Sequence, residues 1–324
     1  MESIFNDVKK IMNKYDTIVL TGHKNIDLDA LGACLGFYRM AHHLKKEVYI
    51  YLEDNISVKS TRRALKRLQK NNISINFIKK EQIKNLDLSK TLLIVLDLHQ
   101  KNMLDYPELV DLIENKMVID HHIKNKDVIS NTNLTYINSK LSSMVEFVVY
   151  FLGYYNLSVH PVIATIMLTG MEIDTNSYNI KTSYKTYEAA AKLSLMGANN
   201  IDKQSLLQEK IEDYIERINL LKTSYMINSN MAMCIVPTGK FCDKTDLAII
   251  AEKLLEFDKV EASFALGYTK ENVVNISSRS LGRINVQKIM NKLGGGGHTS
   301  EAAAEITDME LNEVKEKIIE IVNR

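Results

Sequence analysis

The chain has 324 residues, of which 45% are apolar and 25% charged, and a formal net charge of +1. That length exceeds what one hydrophobic core ordinarily supports, so two domains are expected. The near-zero charge excludes the strong global field that draws proteins to DNA, long RNA or a membrane surface.

The first stretch, MESIFNDVKKIMNKYD, is polar and amphipathic and has no signal-peptide core. No apolar run approaches the ~20 residues of a membrane helix. Cys34, Cys234 and Cys242 form neither a CxxC pair nor a disulfide framework, which fits a reducing compartment. A cytoplasmic location is expected, with membrane tethering only if further N-terminal domains precede the chain.

Strands are predicted at Thr17–Thr21, Glu47–Leu52, Leu92–Asp97 and Met117–Asp120, each a continuous apolar run of the kind covered on both faces. Helical patterns at Leu28–Leu44, Ser57–Lys70 and Ser142–Tyr154 lie among them. This alternation predicts an α/β fold with a doubly wound parallel sheet. From Ile201 to about Met226 the sequence reads as one charged amphipathic helix. Beyond it come strand Met231–Val236, helix Leu247–Leu255, strands Ala262–Tyr268 and Asn272–Ser277, helix Val286–Leu293 and a last helix within Glu310–Val322. The expected organisation is a domain over 1–190, a helical connector over 191–227 and a smaller α/β domain over 228–324.

Chemistry-bearing residues gather at the strand ends. His23, Asp27 and Asp29 follow the first strand and run into a helix, where an Asp can also serve as N-cap. Asp97 ends LLIVLD, with His99 just beyond; Asp120, His121 and His122 end the next strand; Asp174 follows a strongly apolar segment. Buried carboxylates usually have a cationic partner, and His nitrogens with several carboxylates suit Mn²⁺, Fe²⁺, Co²⁺ or Zn²⁺. Asp27, Asp29, Asp97 and Asp174 would offset the charge of two divalent ions, and a water shared by both would become a nucleophile near neutral pH. His99 fits a supporting or substrate-facing role. His42, His43 and His160 read as residues of helix ends.

In the second domain Arg279 and Ser280 precede the run Gly294, Gly295, Gly296, Gly297, His298. Glycines let backbone N–H groups approach an anion, and a helix predicted to begin near Ser300 would add its N-terminal dipole. Arg279 would serve as a bidentate phosphate donor and His298 would add a further one.

Taken in order, these motifs resemble the DHH phosphoesterases that carry a DHH-associated C-terminal domain. The resemblance implies that His23, Asp27 and Asp97 hold one metal, usually Mn²⁺, and that Asp29, Asp97, His121 and Asp174 hold another, with Asp97 bridging. Asp120 would orient the histidines and His122 would face the scissile phosphate. Arg279, Ser280, Gly295, Gly296, Gly297 and His298 would grip the substrate across a cleft between the domains. GHKNIDLDALGA, SSRSLGRINVQ and GGGGH look like the catalytic part of GdpP-type cyclic-di-AMP phosphodiesterases. The alternative is the nanoRNase or phosphoadenosine-phosphate phosphatase branch, which typically has Gly where Leu28 stands and ends in Ala-Ala-Gly where this chain has Ala302-Ala303-Ala304-Glu305. Ile26 is a further departure, and the membrane, PAS and GGDEF segments of GdpP-type proteins are absent from these residues. The implied partner is a cyclic dinucleotide or short oligonucleotide, with no long nucleic acid and no membrane; a homodimer stays open. A non-catalytic nucleotide sensor is the rival from another class.

Overall fold

In the computed structural model, which describes residues 1–323, the apolar runs become parallel strands. They are β1 (Thr17–Thr21), β2 (Glu47–Tyr51), β3 (Phe77–Ile78), β4 (Thr91–Leu96), β5 (Lys116–Asp120) and β6 (Leu134–Ile137). Their order in the sheet is β3-β2-β1-β4-β5-β6, all neighbours parallel. Every residue of β1, β4 and β5 is buried. Because side chains alternate along a strand, Ile18, Leu20, Leu92, Ile94, Leu96 and Ile119 enter one core, while Val19, Leu93, Val95 and Val118 enter another on the opposite face. Two-sided burial explains why these strands show no polar alternation.

The larger core is built with helices Leu28–His43, Met144–Tyr154, Pro161–Asp174 and Tyr184–Leu195. Strand order reverses between β1 and β4, so their carboxyl ends flank a topological switch point, where open α/β sheets bind ligands.

The chain divides into two units after Gln208. The second has its own six-stranded sheet, of β7 (Tyr225–Met226), β8 (Met231–Ile235), β9 (Ala262–Lys270), β10 (Val273–Ser280), β11 (Gly296–Gly297) and β12 (Glu301–Ile306), in the order β11-β12-β10-β9-β8-β7. Only β8 and β9 pair in parallel. Helices Lys244–Leu254, Val286–Asn291 and Leu311–Val322 complete this unit. The final residue of the expected 228–324 domain lies outside the described residues.

Two expectations are corrected. The stretch from Ile201 to Met226 is not one helix: Asn200–Leu207 and Ile211–Leu221 are separate, and Tyr225–Met226 is a strand. The first helix is tied into its own unit, where Arg63 donates to the Leu206 carbonyl at 3.1 Å and Arg67 to Ser205 Oγ at 3.0 Å. The second is tied elsewhere, through Arg217 and Asp246 at 2.9 Å. Packing on different bodies overrides a continuous local pattern. The second correction concerns Ser300: no helix starts there. Glu301–Ile306 is β12, paired antiparallel with β10.

No helix among the described residues is long and apolar enough to cross a membrane. Cys34, Cys234 and Cys242 are free and buried.

Candidate metal centre

The first unit brings together every residue expected to bind metal there. His23, Asp27 and Asp97 form one group, Asp29, His121 and Asp174 a second, and Asp97, His121 and His122 a third; within each group the ligand atoms lie within 4.8 Å of one another. Asp97 belongs to two of these groups. Its Oδ2 is 3.6 Å from His23 Nε2 and its Oδ1 is 3.0 Å from His121 Nε2.

Each side chain is placed by its element. His23 Nδ1 lies 2.8 Å from the Lys24 carbonyl, so the proton on Nδ1 is donated there. That leaves Nε2 pointing at Asp27 Oδ2, 3.5 Å away. Asp27 performs two tasks with different oxygens. As the N-cap of helix Leu28–His43 its Oδ1 accepts from the Asp29 and Ala30 N–H groups at 3.0 Å, while Oδ2 faces His23.

Asp29 is buried, and its oxygens accept from the N–H groups of Met144 (2.7 Å) and Val145 (2.9 Å), at the start of helix Met144–Tyr154. The same carboxylate lies 3.9 Å from His121 Nε2. Asp97 stands one residue beyond β4 in the left-handed region, φ +66°, and its N–H continues the ladder to the Ile119 carbonyl at 3.0 Å. Such a backbone costs roughly 1–3 kcal/mol, a cost the sheet sustains at the point where two groups of ligands meet.

Asp174 is the last residue of helix Pro161–Asp174. Its Oδ2 is 3.2 Å from His121 Nε2. The helix reaches the site because Gly170 lacks a side chain: a Cβ there would sit 2.5 Å from the Leu28 carbonyl oxygen and 2.6 Å from the Asp29 nitrogen. Nothing in the sequence singles out this glycine, since a lone glycine in an apolar run carries no local signal. The amides that hold Asp29 were equally invisible, because they lie more than a hundred residues away.

Behind the ligands, Asp120 is fully buried. Its Oδ2 is hydrogen-bonded to His99 Nδ1. Its Oδ1 takes the ring Nδ1 of His122 at 2.8 Å and the His122 N–H at 3.0 Å. The side chain of His122 is 38% exposed, which leaves it accessible to a ligand.

The electrostatics describe a cluster short of positive charge. Burial pushes the Asp29 carboxyl well above its usual range, and the charges of Asp174 and Asp97 push it further. Asp174 is raised to about 6, chiefly by burial. Burial alone would lower His23, but its hydrogen bond to Asp27 and the charges of Asp27 and Asp97 outweigh that and carry it to about 10. His121 is raised well above its ordinary value in the same way, by Asp174 and Asp97 against burial. For Asp120, burial is overcome by the hydrogen bonds and charge of His122 and by His99, and its carboxyl is held low.

These residues fit a divalent metal. Asp97 Oδ1 and both ring nitrogens of His121 are buried without a properly aligned hydrogen bond, although His121 Nε2 faces carboxylate oxygens at 3.0 and 3.2 Å. Buried polar atoms are normally paired. Lone pairs converging on a common point are what a shared cation requires.

The second unit gathers Arg279, Gly296, Gly297 and His298 around a pocket of about 310 Å³, together with Lys244, Asn275 and Ser277. Arg279 Nε lies 3.1 Å from Glu252, and its Nη1 donates to the Ser278 carbonyl at 3.0 Å. Ser280 and Gly295 are not among the lining residues. Ser280 is buried, and its Oγ accepts from the Gly282 N–H at 3.0 Å. Gly295 serves packing, for a Cβ there would lie 2.2 Å from the Ala303 carbonyl oxygen. The end of the glycine run, Gly296 and Gly297, is therefore a short strand lying against β12, and the run is not the approach to a helix N-terminus.

Residues 17–171 match the DHH family, N-terminal domain, and residues 228–324 the DHHA1 domain. The chain is 32% identical over 320 residues to the cyclic-di-AMP phosphodiesterase GdpP of Bacillus subtilis (strain 168), covering 97% of this chain and 49% of that protein. It thus spans about half the length of that relative. It is 27% identical over 318 residues to the bifunctional oligoribonuclease and PAP phosphatase NrnA of Mycoplasma genitalium, covering 92% of this chain and 91% of that one. A crystal structure of an exopolyphosphatase-related protein from Bacteroides fragilis shares the fold, with a TM-score of 0.80 at 19% identity over 99% of this chain and 96% of that one.

Proposed function

The chain belongs to the DHH family, its DHH domain followed by a DHHA1 domain, and from that premise we propose that it is a metal-dependent phosphodiesterase that hydrolyses cyclic-di-AMP. One water adds to phosphorus and one ester P–O bond breaks, giving linear 5′-pApA, with slower onward cleavage to AMP. The observation that carries this reading is the convergence of His23, Asp27, Asp29, Asp97, His121 and Asp174 at the switch point of the sheet. The likeness to GdpP supports the choice of substrate.

Two divalent ions, for which we propose Mn²⁺, would polarise a phosphoryl oxygen and lower the pKa of a water. The chain's own residues do the rest. His23, Asp27 and Asp97 are proposed as one ligand set and Asp29, Asp97, His121 and Asp174 as the other, with Asp97 shared because it alone faces both histidines. His122, held from behind by Asp120, is proposed to meet the scissile phosphate. Burial lowers its pKa, but the hydrogen bond to Asp120 and the charge of Asp97 leave it raised, which favours an imidazolium beside an anionic substrate. Arg279 and His298, with Gly296 and Gly297, are proposed to hold the substrate from the second unit. No side chain is placed as a covalent nucleophile.

One observation favours a second reading. The chain is also 27% identical over 318 residues to the Mycoplasma oligoribonuclease and PAP phosphatase NrnA, a likeness that supports hydrolysis of short linear nucleotides as the alternative. Product analysis with Mn²⁺ separates the two. Conversion of cyclic-di-AMP to 5′-pApA ahead of any attack on phosphoadenosine phosphate supports the first. Rapid release of mononucleotides from short RNA, with cyclic-di-AMP untouched, replaces it with the second. Tight nucleotide binding without turnover of any of them would make the chain a sensor.

A further inference from the structure

Asp120 reaches the candidate centre only through other residues. It ends β5, where its carbonyl accepts from the Asn138 N–H at 2.9 Å, so its backbone is fixed by the sheet. Its carboxylate is then held from both sides, Oδ1 by the ring and N–H of His122 and Oδ2 by His99 Nδ1.

His99 is itself locked. It is 3% exposed, and its carbonyl accepts from the Ile129 N–H at 2.8 Å. The Asn125 N–H approaches its Nε2 at 3.3 Å. A nitrogen that accepts carries no proton in the neutral ring, so the proton sits on Nδ1 and is donated to Asp120. The hydrogen bonds therefore run in one direction, from the Asn125 backbone through His99 to Asp120, whose other oxygen holds His122.

We propose that His99 is a positioning residue for the hydrolytic reaction, pinning the Asp120 carboxylate so that its Oδ1 holds the His122 ring in the orientation that meets the phosphate. The inference rests on the reading of His122 as the phosphate-facing group. A histidine that merely filled the core would need no donor aimed at a carboxylate with no exposed surface. Without His99, Oδ2 of Asp120 would be buried and unpaired, and the carboxylate would turn to seek another donor. His122 would then lose its fixed orientation while the metal ligands kept theirs.

The test uses three variants of the full chain. His99→Leu removes the donor. His99→Asn keeps one, because an Asn amide nitrogen falls where Nδ1 lies. His99→Gln is polar but reaches the position of Nε2 instead, and replaces His99→Leu in the comparison if that variant fails to fold. With Mn²⁺ and cyclic-di-AMP, His99→Leu and His99→Gln are expected to lose kcat by ~10- to 100-fold, the range of groups that orient a functional residue. KM should stay within about threefold and His99→Asn should recover most of the loss, as a defect confined to orientation requires.

A second readout needs no turnover. In ¹⁵N-histidine-labelled protein with diamagnetic Mg²⁺, the ring Nδ1–H signal of His122, assigned by His122→Gln, should broaden or shift upfield in His99→Leu and return in His99→Asn. An unchanged His122 signal in both His99→Leu and His99→Gln would overturn the proposal. So would loss of the signal in all three variants, because rescue by the Asn amide is required. Failure of the wild type to hydrolyse any nucleotide would refute the phosphodiesterase reading, while the His122 signal would still decide the role of His99.

Discussion

At the residue scale, the candidate centre turns on Asp97. It faces His23 with one oxygen and His121 with the other, so Asp97→Ala removes a donor from both proposed ligand sets at once. The expected result is a loss of kcat on the order of 10³-fold or more on any substrate, comparable to losing a principal transition-state contact. Metal bound per chain should fall in the same titration, and retained turnover would refute the shared role. Protons and metal compete here with a definite sign. With His23 raised to about 10, the metal-free protein carries its proton through the whole neutral range, and a metal must displace it. Uptake therefore releases protons and apparent affinity rises with pH, by about tenfold per unit for the His23 proton alone, up to a plateau near its pKa. Calorimetric titration of Mn²⁺ at pH 6.5, 7.5 and 8.5 checks this; a pH-independent affinity would rule it out. The residues that cluster as candidate ligands were legible in the sequence because carboxylates at the ends of apolar runs stand out. The second duties of Asp27 and Asp29 were legible only in part. Capping by Asp27 is a local pattern, whereas Asp29 receives its amides from Met144 and Val145 across the fold.

At the element scale, local patterns succeeded where burial is two-sided and failed where packing decides. β1, β4 and β5 were readable because a strand buried on both faces is apolar throughout. β12 was misread because Ala302, Ala303 and Ala304 suggest a helix, alanine being its best former. The burial of Ala302, Ala304 and Ile306 has the period of a strand instead, and the partner that imposes it, β10, is distant in sequence. Helix Pro161–Asp174 illustrates how an element aims a ligand. It lies so close to the start of helix Leu28–His43 that Gly170→Ala would force backbone apart, since the new Cβ would meet the Leu28 carbonyl and the Asp29 nitrogen. Overpacking of this kind costs roughly 1–3 kcal/mol. The melting temperature should fall by several degrees and Mn²⁺ affinity should weaken, because Asp174 and Asp29 would be pushed apart. Equal loss of affinity in a control variant of matched stability, distant from the site, would show that only stability was affected.

At the scale of the whole molecule, the proposed reading gives the two units separate tasks. All candidate metal ligands lie before Gln208 and the Arg279 pocket lies wholly after Glu209. Arg279 is oriented by contacts of its own unit, to Glu252 and to the Ser278 carbonyl. A cation held this way over an open pocket suits an anionic substrate, and hydrogen bonds to charged groups contribute about 1.5–3 kcal/mol. Arg279→Ala should therefore raise KM for cyclic-di-AMP by ~10- to 100-fold, while Mn²⁺ stoichiometry and affinity stay at wild-type values. Arg279→Lys should recover only part of the loss, since an ammonium keeps the charge but not the planar fork. Asp97→Ala should give the mirror image, with metal and kcat lost and nucleotide binding to the second unit largely retained. If Arg279→Ala instead lowered metal affinity, or left KM unchanged, the division of labour between the two units would be wrong. The substrate would then have to be held by the first unit alone.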